Sequence, residues 1–201
     1  MSEPHRHHRP VRRADLFAVT GEAAREEPFA RAELAAATAD VVLSYGRSGH
    51  SEALMDLADR VGLDTLAELW RDEQPSSLPG ALWTLYVLRR WCQASPDEVS
   101  RLWRWGRAHA PADEVVAGVS DDADPEAVLR LADAVLSGAY VGDFAVALER
   151  AAAFFRVVAA GRRQLAADGP DGDRSRSLAD RNAETALGLA TAAANWRTRS
   201  S

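Results

Sequence analysis

Apolar residues along this chain recur at three- and four-residue spacings and rarely alternate, which is the period of a helix rather than of a strand. Between the breakers the sequence is filled with Ala, Leu, Glu and Arg, while β-branched residues are scattered. The pattern predicts a helix from Pro28 to about Tyr45, ended by Gly46, then one over 51–61 closed by Gly62, then a short one from Leu63 to Arg71. A further helix opens at Pro79 and runs to about Gln93. The next begins at Ser95-Pro96-Asp97-Glu98, which combines an N-cap serine, a first-position proline and a glutamate three residues past the cap. Asp124-Pro125-Glu126 repeats the cap and the proline and starts a helix to about Ser137, with Gly138 placed for its C-terminus.

The helix expected from about Asp143 to Leu165 gathers Phe144, Ala147, Leu148, Ala151, Phe154, Phe155 and Val158 on one face, with Glu149 and Arg156 opposite. Residues 168–174 read as a linker. A last helix from Ser177 to Trp196 presents Leu178, Thr185, Leu189, Ala193 and Trp196 as its stripe. The Pro79 to Gln93 helix differs from the rest in having two apolar sides, Leu82, Leu85, Leu88 and Cys92 on one and Trp83, Val87 and Trp91 on another. Such a helix wants neighbours all round, so the expected fold is an all-α bundle of about seven to nine helices with this apolar helix at its centre. Residues 14–201 form one helical domain behind a disordered basic arm over 1–13, in which His5, His7 and His8 are interleaved with four Arg.

Composition adds a source and a compartment. All 24 basic residues are Arg, there is no Lys and no Ile, and Ala occurs 40 times, a bias that points to a GC-rich genome such as that of an actinobacterium. No apolar run reaches the roughly 18 residues of a membrane span, and the charged N-terminus leads into no apolar stretch, so neither a membrane span nor a secretory signal is expected and the protein is placed in the cytoplasm. Cys92, the one cysteine, reads as a small buried hydrophobe. The net charge of −6 hides an uneven distribution. The arm has four Arg against Glu3, net +3; residues 89–107 have five Arg against Asp97 and Glu98, net +3; residues 110–149 have nine acids against Arg130, net −8.

The common chemical grammars are missing. His50 and His109 lack the Glu-x-x-His context of a di-iron bundle, and one Cys with two separated His outside the arm does not make a zinc site. Asp121-Asp122-Ala123-Asp124 is followed by Pro125 where an aspartate-rich magnesium motif needs another aspartate, and Asp168, Asp171 and Asp173 do not have the spacing of a calcium loop. No P-loop, dinucleotide fingerprint or nucleophile elbow occurs. A helix-turn-helix over 54–71 is opposed by Asp64, Glu68, Asp72 and Glu73, which would face phosphates, so nucleic acid is not an expected partner. No catalytic residue, metal or cofactor is assigned.

What remains is arginine and tryptophan. On the helix starting at Pro96, Val99, Leu102, Trp103 and Gly106 share the core face, whereas Trp105 lies beside Arg101 and Arg104, where it is expected to stack on Arg101. An exposed Trp among arginines has the composition of an interaction hot spot, and opposite charge segments suit self-association or docking to a protein partner. The first expectation is thus a non-enzymatic interaction module acting through Arg101, Arg104 and Trp105. The alternative is a small-molecule binding protein, or a cofactor-free enzyme, in which Arg89, Arg90 or Arg47 holds an anionic ligand in a pocket between helices walled by Trp. In that reading Gly46-Arg47-Ser48-Gly49-His50 is a glycine loop able to meet an anion.

Two resemblances bear on the fold. Gly142-Asp143-Phe144 followed by Ala147, Leu148 and Ala151 resembles the second helix of a tetratricopeptide unit, but Val135 and Gly138 stand where that family's first helix has Gly and Tyr, and no 34-residue repeat follows. Taken whole, on Leu78-Pro79-Gly80-Ala81-Leu82-Trp83 and the stretch from Gly138 to Arg162, the chain is similar to uncharacterised single-domain helical proteins of actinobacteria. That resemblance implies an all-helical fold and brings no activity or site residues with it.

Overall fold

Proline and serine or aspartate caps start the helices, and the computed structural model shows where each one runs. It describes residues 28–53, 69–118, 124–168 and 172–200. Among these residues there are seven α-helices and no strand: α1 (Pro28–Tyr45), α2 (Leu78–Ala94), α3 (Pro96–Arg107), α4 (Pro111–Ala117), α5 (Pro125–Val141), α6 (Phe144–Asp168) and α7 (Gly172–Ser200). The fold is all-α, and α4 is a helix that the sequence pattern did not predict. The basic arm, the 54–68 stretch with its helix-turn-helix pattern and most of the Asp121 to Asp124 cluster lie outside the described residues.

Several boundaries move for local reasons. α1 ends at Tyr45 before Gly46, as expected; the chain then passes through a wide turn, Gly46–His50, in which Gly49 takes the left-handed conformation at φ +90°, and helix resumes at Ser51. Gly138 does not end α5; the helix continues to Val141, and Gly142 caps it through its N–H to the Gly138 carbonyl. The expected 168–174 linker shortens to the residues between Asp168 and Gly172, because α7 already starts at Gly172.

The capping chemistry also redistributes. Asp124 caps α5 as expected, its carboxylate accepting from Ala127 N at 2.6 Å. Ser95, the one residue between α2 and α3, makes no side-chain cap: at φ −143°, ψ 54° it lacks the extended conformation of a capping serine, and its N–H donates to the Trp91 carbonyl at 2.9 Å. Glu98, released from the capping box, pairs instead with Arg162 of α6 at 3.3 Å. Asp124→Ala should therefore lose about 1 kcal/mol of stability, whereas Ser95→Ala should cost under about 0.5 kcal/mol, read from urea midpoints at constant m. Equal losses from the two substitutions would contradict this account of the caps.

The centre of the molecule is α6 rather than α2. It packs most extensively against α7 and also against α3, α4, α5 and α2. Composition explains the exchange: Ala151, Ala152, Ala153, Val157, Val158 and Ala159 are all buried, so small side chains let neighbours approach α6 from every side. Its aromatic residues complete the core, with Phe154 stacked on Trp103 of α3 at a centroid separation of 5.3 Å and Phe144 edge-on to Trp196 of α7 at 4.9 Å. Cys92 is buried, as expected. Among the described residues no helix is long and apolar enough to cross a membrane.

Candidate functional site: a tryptophan-walled groove

Trp83, Val87 and Trp91 recur at i, i+4 and i+8, so they form one strip along α2. Reading α2 as the central helix placed this strip under further helices. The structure covers it only in part: Trp83 and Trp91 are half-buried and Val87 is 39% exposed. Phe155 and Arg162, two turns apart on α6, form a second wall, and Asn182 and Thr185, one turn apart on α7, form a third. Three helices thus each lend a strip to a cavity of about 310 Å³. That volume lies at the small end of ligand pockets and suits a single or fused ring better than a nucleotide.

Arg162 defines the polar side of this cavity. Its guanidinium carbon lies 5.4 Å from the Trp91 ring centroid, and its Nη2 donates to Glu98 Oε1 at 3.3 Å. Burial pulls its pKa below the ordinary arginine value while Glu98 opposes the shift, and arginine remains charged near neutral pH. Three buried side-chain nitrogens among the described residues have no hydrogen-bond partner: Trp103 Nε1, Arg162 Nε and Asn182 Nδ2. Two of the three belong to side chains that line the groove. A buried donor left unmet costs about 1–3 kcal/mol, so two of the side chains around the groove carry a polar deficit.

The residues singled out from sequence occupy other places. Trp105 is 47% exposed on α3, with Arg101 and Arg104 exposed beside it, and neither arginine has an ion-pair partner among the described residues. Trp105 does not stack on Arg101; the cation–π contacts join Arg162 to Trp91 and both Arg47 and Arg199 to Trp196. Arg89, with only 12% of its side chain exposed, joins α2 to Asp133 of α5 at 2.6 Å. Arg90 is exposed. Arg47 lies 5.2 Å from the Trp196 centroid, and the other side chains of its turn are engaged locally, Ser48 with the Ser44 carbonyl and His50 stacked on Tyr45. Arg89, Arg90 and Arg47 are thus not among the residues that line the groove of Trp83 and Trp91, where Arg162 stands instead.

Part of the charge segregation along the chain is cancelled in three dimensions. Asp113 pairs with Arg156 at 2.6 Å, Glu114 with Arg107 at 3.3 Å, Asp133 with Arg89, and Glu149 with Arg197. Four of the segment's nine acids thus meet arginines from outside it, while Asp124 and Glu126 meet Arg130 within it and Asp121 and Asp122 lie outside the described residues. A larger groove of about 630 Å³ runs between α1, the Glu73 to Pro79 turn and the end of α7, but its walls mix Asp40 and Glu73 with Arg199 and carry none of the unmet buried donors. Among the described residues no group of three His, Cys, Asp or Glu could hold a metal ion.

Sequence reasoning missed Arg162 and Asn182. The available signal was an arginine two turns from Phe155 on an otherwise apolar helix face, which only gains meaning once α2 is known to stand opposite. In comparisons with protein-family models, with curated proteins and with solved structures, no match to this chain is found.

Proposed function

We propose that this protein binds a small, flat organic molecule in the groove between α2, α6 and α7. The observation that carries the reading is that two of the side chains lining one aromatic cavity, Arg162 and Asn182, each hold a buried donor without a partner. Trp83, Trp91 and Phe155 supply apolar area and ring faces, and the polar residues supply orientation. The lining groups favour binding over turnover: the Thr84 and Thr185 hydroxyls donate to carbonyls of their own helices, which activates neither as a nucleophile. The arginine-only, alanine-rich composition and the single buried cysteine support a cytoplasmic protein of an actinobacterium as the setting.

Intrinsic tryptophan fluorescence tests this directly. Titration with a panel of small aromatic amides, lactams and carboxylates should give a saturable change that is lost in Trp91→Ala and weakened at least about tenfold in Asn182→Leu, since a binding site loses roughly 1.4 kcal/mol or more with a buried hydrogen bond. A flat response across the panel, or one that survives Trp91→Ala undiminished, would remove the groove as a binding site.

A second reading rests on a separate observation, the exposed Trp105 between two arginines without ion-pair partners. It makes the Arg101, Arg104 and Trp105 face of α3 a docking surface for a protein partner or a second copy. Light scattering and partner capture with Trp105→Ala decide it, unchanged association being the result that counts against the face.

A further inference from the structure

The groove holds one charged lining residue, Arg162, and that charge already has a counterion. Glu98 of α3 meets its guanidinium at 3.3 Å, and the remaining walls are aromatic, aliphatic, amide and hydroxyl groups. Both threonine hydroxyls have committed their hydrogens. Thr84 Oγ1 donates to the Gly80 carbonyl at 2.7 Å and Thr185 Oγ1 to the Arg181 carbonyl at 2.9 Å, so towards the cavity these oxygens can only accept. The lining side chains that carry donors are thus Arg162 of α6 and Asn182 of α7, and those that carry committed hydroxyls, able to accept, are Thr84 of α2 and Thr185 of α7.

Resting on the reading of this groove as a ligand site, we infer that it selects an uncharged aromatic carboxamide or lactam over the carboxylate of the same shape, and that Glu98 sets the preference. A carboxamide carries both halves of the matching pattern, a carbonyl for the Arg162 and Asn182 donors and an N–H for a threonine oxygen. A carboxylate carries acceptors alone, so it meets the threonine lone pairs with nothing to donate. It also brings a second negative charge to a guanidinium that already has one, and must face Glu98 or displace it; like charges sharing a half-buried site disfavour one another. The Trp walls are indifferent to this choice, since a ring of either compound stacks equally well. Discrimination thus falls on the polar edge, where Glu98 acts through Arg162 as a positioning residue.

Isothermal titration of the full chain with matched pairs tests this: benzamide with benzoate, nicotinamide with nicotinate, indole-3-acetamide with indole-3-acetate. In the wild type each amide should bind at least about tenfold more tightly than its carboxylate. In Glu98→Gln, which keeps the shape and removes the charge, the ratio should fall below about threefold through tighter carboxylate binding, while Thr185→Val should weaken the amides and leave the carboxylates unchanged. Carboxylates binding as tightly as amides to the wild type would overturn the inference and leave the groove standing as a site. Failure of both members of every pair to bind would overturn the inference together with the ligand-binding reading. An amide preference that persists undiminished in Glu98→Gln would remove Glu98 as its cause. Because the wild-type ratio needs no substitution, poor folding of a variant does not shield the central claim.

Discussion

Gly161→Ala is expected to cost on the order of 4 kcal/mol or more, a large share of the roughly 5–15 kcal/mol by which an ordinary domain is stable. A Cβ built at Gly161 of α6 would lie 2.0 Å from the Leu102 carbonyl oxygen of α3, and one at Gly106 of α3 would lie 1.9 Å from the Val157 carbonyl oxygen of α6. The two glycines are reciprocal: each helix brings its backbone onto the other where the other has no side chain. Ordinary contact needs roughly 3.5 Å, and the obstructing atoms are backbone, which cannot turn aside as a flexible side chain would. One methyl group must therefore push α3 and α6 apart along the crossing that seats Trp103 on Phe154. Gly138→Ala is the control, because a Cβ there meets only the Ala147 methyl at 3.9 Å and removes a helix-interior glycine; it should be neutral or stabilising by up to about 1 kcal/mol. Thermal or urea unfolding that places Gly161→Ala within about 1 kcal/mol of the wild type would show that the helices can separate cheaply and that the crossing is not a constraint.

Trp103→Ala should be nearly as damaging, at roughly 3–5 kcal/mol, since it empties a fully buried indole site in the centre of the α3 and α6 interface. The same residue makes a sharper prediction through its nitrogen. Trp103 Nε1 is buried without a partner, so the indole donor subtracts from the stability that its ring area contributes. Trp103→Phe removes that donor along with part of the ring and keeps a face for Phe154, and should cost only about 1–2 kcal/mol. The gap between the two substitutions, read from chemical denaturation, separates ring packing from the polar penalty. If Phe proves as costly as Ala, the indole N–H has a role that the packing argument omits.

These two sites mark the boundary of what the residue pattern could disclose. The helix faces were legible: every residue placed on the apolar face of the 143–165 helix is buried in α6, and Leu82, Leu85, Leu88 and Cys92 are buried on α2. Starts were legible where proline stands in the first turn, as at Pro28, Pro79, Pro96 and Pro125. What a cap side chain does was less so, because Ser95 serves two helices at once and its N–H and Glu98 both find other partners. The choice of central helix went to α6 because Ala and Gly, which add little to an apolar count, are what permit close neighbours on all sides. The same mistake hid the site. A strip of Trp83, Val87 and Trp91 looks like core from sequence, and whether a strip is covered or lines a groove depends on where α6 and α7 end up, which its own periodicity does not contain.

The sequence by itself determined that this chain is helical, where most of its described helices begin, which faces turn inward, and that no metal or nucleotide motif is present. These follow from terms local in sequence, namely period, propensity and capping, acting over three or four residues. Only the tertiary structure decided that acids and arginines distant in the chain neutralise one another, that Trp105 stays outside while Trp103 stacks on Phe154, and that Arg162 with Glu98 and Asn182 faces a tryptophan-walled cavity. The contacts among these join residues some 40 to 65 positions apart, and the geometry of a helix crossing, such as that at Gly106 and Gly161, is a property of two surfaces together.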